Sequence, residues 1–521
     1  MSVRRHNLSA PKAPLAVTFT TVLLLFSISC SRPAALTQGP SLAILYNAEE
    51  QPTEKSAVAQ LLQSEFRQKG ISVRLDPVSN TLYNERLSKG DFEATLNLWY
   101  LDYNDPEGYL TDFYSKAGYR SAKYSSAEYD GLYLAGLLAP TEADKVRYFR
   151  EAVTLLDHEV PWIPLYSNTE IFLLQPRAAG FRSNAYQYYD YRRVDMESIR
   201  ASSDVEVQTL DPALAYDLAS KHIVTQSYEG LIALDANSKI VPALATEWQF
   251  SPKMDSLTFR LRAGVRFHTA PFFKTAAERE VTSIDVKSSF ERMLKSNSPY
   301  TYIFDHVQGA QEFKAGKSTD IPGFRARDKY TFQIVLDRPF PTILEWLLAP
   351  AAYVLPKGLP SNYDLSRGSV GTGPFILQSW DGVTARFVAN PEYWAADETG
   401  RRLPYPKTLT LRIIKDANTA LTGFRQGELD VLNVPLALFS DVFELDGRVK
   451  PAWHEYQLHE VKLNNLKFLA FNMQKGPWGN DLGLRRRVDE AINRDLLVKQ
   501  LFRGKARPAY SVIPSGVPGF E

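Results

Sequence analysis

One cysteine among 521 residues leaves no disulfide to be formed within the chain. With that residue, Cys30, read as a lipid attachment point, no thiol nucleophile and no cysteine metal cluster remains. The seven histidines contain no HExxH and no close pair at helical metal spacing, so no metal site is expected. GxSxG and Walker loops are missing too, and Gly371-Thr372-Gly373 lacks the flanks of a phosphate loop and reads as a turn. His268 has no partner motif and reads as a turn or core histidine. Without a visible nucleophile–base pair, an enzyme is the least supported class, and no cofactor is implied. Neither sign of charge is in excess: the net is +1, which gives nucleic acid no electrostatic footprint. Beyond residues 15–28 no segment has the length or purity of a transmembrane helix.

What is present is ordinary globular material, 44% hydrophobic and 23% charged, in a chain long enough for two or three domains. The N-terminus reads as an export signal. Arg4, Arg5 and Lys12 precede an apolar run at 15–28 that is short for a membrane span. Ser27-Ile28-Ser29-Cys30 then resembles a bacterial lipobox, with Ser27 where most carry Leu. Lipidation at Cys30 stands against a plain signal peptide with a stray cysteine. Residues 31–40 read as a tether.

The pattern after that is α/β. Residues 42–46 are strand-like. Thr53 can cap a helix carrying Val58, Leu61, Leu62 and Phe66 on one face, with Gly70 as its stop. Ile71, Val73 and Leu75 alternate as a strand, which makes a β-α-β unit and part of a parallel sheet. A helix at 83–87 and a strand from Ala94 follow, then helices near 127–138 and 142–158 and an extended stretch at 161–166. Residues 185–193 read as a strand. The grammar changes at 194–203, and 205–210 is expected to start a new extended unit. A helix is expected at 221–228, a capped helix at 283–294, strands at 257–261 and 329–336, and a broken helix at 484–502 that restarts near Asp495. Helix passes into strand at Gly427–Val431, Phe468 to Asn472 is a short strand, and 507–521 is a proline-rich loop.

The chain is organised around Leu98-Trp99-Tyr100-Leu101-Asp102-Tyr103-Asn104-Asp105-Pro106. An apolar strand arrives and a helix leaves, which is where open α/β sheets place ligands. Asp105 reads as that helix's N-cap, with Pro106 at its first position. Asp102 has no capping role. Set among Trp99, Tyr100 and Tyr103, it is either a surface acid or a socket for a cation.

Several segments together resemble the extracellular solute-binding proteins of family 5, the oligopeptide- and dipeptide-binding components of ABC importers. They include Asp211-Pro212, Tyr228-Glu229-Gly230-Leu231, Pro242-Ala243-Leu244-Ala245 with Trp248, and Val281 to Val286. Gly371 to Phe375, Asn390-Pro391-Glu392-Tyr393-Trp394, Leu469-Ala470-Phe471-Asn472, Ala491-Ile492-Asn493-Arg494 and 98–106 continue the series. The resemblance implies a two-lobe periplasmic binding protein fold (type II, cluster C-like) with an extra small domain, circularly permuted. In the family, segments like 198–521 come first and segments like 42–193 come last. Old ends would be joined near 194–203, with new ends at Ser41 and Glu521; the helix that usually separates the counterparts of Phe520 and Leu42 is not found.

By that resemblance 1–30 is a lipoprotein signal peptide and 31–40 a tether. Residues 41–171 with 446–521 form the second lobe, 172–241 with 350–445 the first, and 242–349 the extra domain. The family's peptide binders pair the ligand backbone with strands of both lobes. This implies ligand contacts at Leu98, Trp99, Tyr100 and Tyr103, an amine anchor at Asp102, and contacts across the cleft at Glu229, Gly230 and Leu231. Leu96 stands where some oligopeptide binders carry an arginine. The function implied is a lipid-anchored, monomeric receptor in the periplasm or at the cell surface. It would take peptides to a membrane permease and have no nucleic-acid partner. Other solutes, such as a metal chelate or an oligosaccharide, and a sensor or interaction lipoprotein without transport are the alternatives.

Overall fold

The structure, a computed structural model, describes residues 41–101, 105–118, 120–139 and 141–520. Cys30, the 31–40 tether, Asp102, Tyr103 and Glu521 lie outside the described residues. No helix among those described is long and apolar enough to cross a membrane.

Twelve strands form one mixed sheet. In chain order they are β1 (Leu42–Asn47), β2 (Val73–Val78), β3 (Ala94–Tyr100), β4 (Trp162–Leu174), β5 (Ser198–Ser203) and β6 (Phe375–Trp380). Then come β7 (Thr384–Ala389), β8 (Thr408–Ile413), β9 (Val431–Asn433), β10 (Gln457–Lys462), β11 (Asn465–Phe471) and β12 (Ala506–Pro508). Across the sheet the order is β6-β7-β8-β5-β9-β4-β11-β3-β1-β2, with β10 and β12 also pairing with β4. Helix α1 (Pro52–Gln68) crosses between β1 and β2, which are parallel as the β-α-β pattern requires.

β4 holds the two halves together. Its start pairs with β11 and β12, and its end from Thr169 pairs with β10 and β9. The other link is the β10–β11 connection, which runs alongside. The result is a two-lobe α/β architecture. A four-stranded antiparallel sheet, in the order Ala245–Phe250, Ser256–Leu261, Thr331–Val335, Phe324–Asp328, stands apart with its own core of Phe259, Phe290 and Phe332. Helix Ser283–Lys295 covers it, started by the Thr282–Asp285 capping box.

One apolar cluster runs under both halves of the main sheet, from Leu42, Phe66 and Leu469 to Phe424 and Leu432. On the opposite face, Phe113, Tyr129, Trp162 and Phe468 pack one half, and Phe172, Phe375 and Leu409 the other. Strand β11, near the end of the chain, lies between β3 and β4. Chain ends far apart in sequence therefore complete one hydrogen-bonded layer.

Four local expectations are corrected. Helix α1 begins at Pro52 after Gln51, which makes no side-chain cap, so Thr53 is not the cap. Of residues 185–193 only Tyr189–Asp190 is strand, because Asn184 Oδ1 accepts from Tyr186 N and Tyr188 N and turns the chain. The strand expected at 205–210 is instead β5, where Ile199 and Ala201 point into the core beside β8. The helical turn after the central stretch is Glu107–Leu110, so Pro106 precedes it.

Candidate functional site

The carboxyl ends of β1 and β2 lie side by side and face the same edge of the sheet as that of β3, since β1 is parallel to both neighbours. Of β3, only Ala94 and Thr95 pair with β1, and the strand runs on past them to Tyr100, with β11 antiparallel along its length. Leu98 is buried. Trp99 donates its indole N–H to Gly108 O at 2.8 Å and lies 6.2 Å from the Trp162 ring. Tyr100 is 40% exposed at the strand end, and its hydroxyl accepts from Gln51 Nε2 at 2.9 Å.

Asp105 is not the N-cap expected of it: that position is Pro106, which makes no side-chain cap, and Asp105 holds the turn before it. Its Oδ1 accepts from Glu107 N at 2.8 Å, while Oδ2 is ion-paired to Lys145 on helix Glu142–Glu159. Glu142 lies 3.9 Å from the same ammonium. Glu345, on helix Ile343–Trp346, feels this cluster: burial and then the Asp105 charge push its carboxyl up to about 7.

The other predicted residues lie apart from β3. Glu229 is held by three neutral donors: Tyr393 OH at 2.9 Å, Trp394 Nε1 at 3.0 Å and Thr372 Oγ1 at 2.8 Å. Burial raises its pKa against those bonds. Arg192 Nη1 donates to the same Tyr393 hydroxyl, and its other nitrogens fork onto Asp190. Gly230 is tight: a Cβ there would meet Tyr353 at 3.2 Å. Leu231 is buried in the core of the four-stranded unit. The carbonyls of Glu229, Gly230 and Leu231 already accept from Val354, Leu244 and both Ala243 and Ala245.

Glu229 and Gly230 line a cavity of ≈ 140 Å³ together with Tyr188, Tyr228, Tyr353 and Tyr393. Leu98, Trp99, Tyr100 and Leu231 do not line it. His268 is buried, bonded to Ser369 Oγ and Gly373 O at 3.0 Å each, and burial pushes its pKa down to about 4. No group of His, Cys, Asp or Glu among the described residues could hold a metal ion.

Sequence reasoning missed the polar cluster under Tyr100. Lys467, inside β11, is buried and faces Glu54 at 3.1 Å. Glu54 Oε1 also accepts from Tyr166 OH at 2.8 Å and Asn168 Nδ2 at 3.1 Å. Burial alone would raise the Glu54 pKa, but the Lys467 charge and these donors hold it below the usual value. One signal was available: a lone lysine inside the apolar run Asn465–Phe471.

The family described as bacterial extracellular solute-binding proteins, family 5 Middle, matches residues 32–121 and 239–521. The chain is 27% identical to the dipeptide-binding protein of Escherichia coli (strain K12) over 326 residues, 60% of this chain and 56% of that protein. It is 30% identical to haem-binding protein A of Haemophilus influenzae over 316 residues, 58% of this chain and 54% of that protein. To oligopeptide-binding protein OppA of Bacillus subtilis (strain 168) it is 26% identical over 324 residues, 60% and 56% of the two chains. The chain thus spans a little over half the length of the curated relatives it matches. Among solved structures, the unliganded open form of the murein tripeptide-binding protein MppA aligns at 24% identity with a TM-score of 0.41, covering 48% of this chain and 47% of that one.

Proposed function

Because the chain belongs to family 5 of the bacterial extracellular solute-binding proteins, we propose that it captures peptides between its lobes and delivers them to an ABC importer permease. The observation that carries the reading is the junction after β3. The carboxyl ends of parallel strands meet there, at the kind of crevice where open α/β sheets bind ligands. Asp102 follows directly, and its carboxylate receives the peptide's α-ammonium. The ligand backbone adds alongside β3 at Leu98, Trp99 and Tyr100, with Tyr103 beside the anchor. Glu229, Gly230 and Leu231 belong to the opposite wall. Tight bonding of the Glu229 carboxylate favours a shaping role for it over direct contact.

In this reading Cys30 carries a lipid that holds a monomer to the membrane on the periplasmic or outer side. The second lobe consists of 41–171 and 446–521, the first of 172–241 and 350–445, and 242–349 is the extra domain. The order of segments is a circular permutation of the family's order. Interleaving of β11 between β3 and β4 supports one fold made from both parts of the chain.

A second reading, a non-peptide solute, is favoured by the relative whose name records haem binding. Native mass spectrometry of the purified protein separates the two. Bound masses that fragment as short peptides are the expected result; haem, a metal chelate or a sugar would overturn the peptide reading. A mass shift on Cys30 in a membrane extract, or its absence, decides the anchor.

A further inference from the structure

A chain of polar contacts runs from the carboxyl end of β3 to the strand that joins the two halves of the sheet. Tyr100 OH accepts from Gln51 Nε2, and Gln51 Oε1 accepts from Lys467 Nζ. Lys467 faces Glu54, and Glu54 accepts from Asn168 Nδ2. Asn168 is then tied to Asn465 twice: its backbone N–H donates to Asn465 Oδ1 at 2.9 Å, and Asn465 Nδ2 donates to Asn168 Oδ1 at 3.2 Å. Asn168 is the point on β4 where pairing with β12 gives way to pairing with β10. Asn465 opens β11 just after the β10–β11 link. Both crossings between the halves therefore meet at this asparagine pair.

Two features of the chain are expensive unless they serve geometry. A lysine at 3% side-chain exposure could be replaced, with its glutamate, by apolar residues of similar volume at little loss of stability. Gln51 holds φ at 48°, a left-handed conformation that costs a residue with a side chain about 1 kcal/mol or more. That backbone lifts the side chain to where it bridges Tyr100 and Lys467.

We infer that Gln51, Lys467 and Glu54 are positioning residues that fix the hinge at Asn168 and Asn465 relative to the Tyr100 end of the cleft, so that occupancy beside Tyr100 and the angle between the lobes are coupled. The inference rests on the peptide-receptor reading for the cleft beside Tyr100 and for what fills it. The coupled element is physical: two crossing strands tied by side chains, which share one network with a half-exposed tyrosine.

The test uses spin labels at Glu85→Cys and Glu247→Cys, exposed positions on the second lobe and the extra domain, with Cys30→Ser in the full chain. Distances between labels are measured without ligand and with trialanine. Gln51→Ala removes the bridge at an exposed residue and leaves Lys467 with Glu54, so the fold is kept. The inference expects Gln51→Ala to broaden or shift the ligand-free distance distribution while the melting temperature holds. Asn168→Ala should broaden or shift the distribution as well, with a lower melting temperature because the buried Asn465 amide loses its partner, and the double variant should be no broader than either single one. Trialanine affinity should fall about three- to tenfold in each single variant, the net size of one hydrogen bond, without multiplying in the double. An unchanged distribution in Gln51→Ala, or effects that multiply, overturns the inference. Failure of the native protein to bind trialanine counts against the peptide reading instead, and the ligand-free distances still decide the relay.

Discussion

Two carboxylates meet the crossing strand β4, one reaching it from helix α1 and one within the strand itself, and the two are held in different ways. Glu54, on the β3 side, faces the Lys467 ammonium and has its pKa held low. Glu170, buried in the second half of β4, accepts from neutral donors: Ser183 Oγ at 3.1 Å, Gln187 Nε2 at 2.9 Å, Asn433 Nδ2 at 3.2 Å and Tyr189 OH. Burial therefore dominates and raises its pKa. The first site keeps a charge by pairing it. The second keeps an acid by surrounding it with dipoles, which ties β4 to the Ser183–Tyr189 turn and to β9. One end of the crossing strand is met by a charge pair and the other is held in a hydrogen-bond mesh.

Lys467→Met should break that comparison hardest. It strands Glu54 as a buried charge, and urea denaturation should show a loss of about 3–5 kcal/mol. Adding Glu54→Leu should recover most of it, because the pair is then gone rather than halved. Asp105→Ala is expected to cost about 2 kcal/mol, because the turn loses its bond to Glu107 N and Lys145 loses its closest anion. Glu170→Gln should cost about 1 kcal/mol or less. Its amide oxygen can keep the three bonds now made to Oε1, and Ser183 can turn from donor to acceptor. A Glu170→Gln loss as large as that of Lys467→Met would erase the distinction drawn between the two ends.

How much of this was legible in the sequence follows from how far each signal reaches. The β1–α1–β2 unit, the Thr282–Asp285 box and the Asn493 restart of the broken helix are written within a few residues, and each stands close to where its pattern placed it. The Ser198–Ser203 strand was misplaced because its alternation is short and its partner, β8, lies some two hundred residues away. Lys467, Glu54 and Asn168 come from three distant segments, so no local pattern joins them. Glu229 was singled out by a motif, yet its three donors come from Thr372, Tyr393 and Trp394, which only the fold brings to it.

The smallest effect concerns pH. Glu345 holds its proton to about pH 7 in the folded protein, against an ordinary value of 4.5. A raised carboxyl favours the folded form while it is protonated. Its support is complete below about pH 4.5 and is lost as the pH rises through 7. Melting temperature should therefore decline over that window, and Glu345→Gln should flatten the decline. A decline unchanged in Glu345→Gln would assign it to other acids, Asp112 first, which burial pushes up to about 7 as well.

The account stands most directly on Asp102, and calorimetry with one peptide in two forms, free and N-acetylated, tests it. Removing one partner of a buried, hydrogen-bonded charge pair costs about 2–5 kcal/mol, which is roughly 30- to several-thousandfold in affinity. Asp102→Ala should weaken the free peptide by that factor, and Asp102→Asn by most of it. The acetylated peptide should bind the native protein poorly and lose little more in either variant. Equal binding of the two peptide forms by the native protein, or an unchanged affinity in Asp102→Ala, would contradict capture of the peptide by its amine.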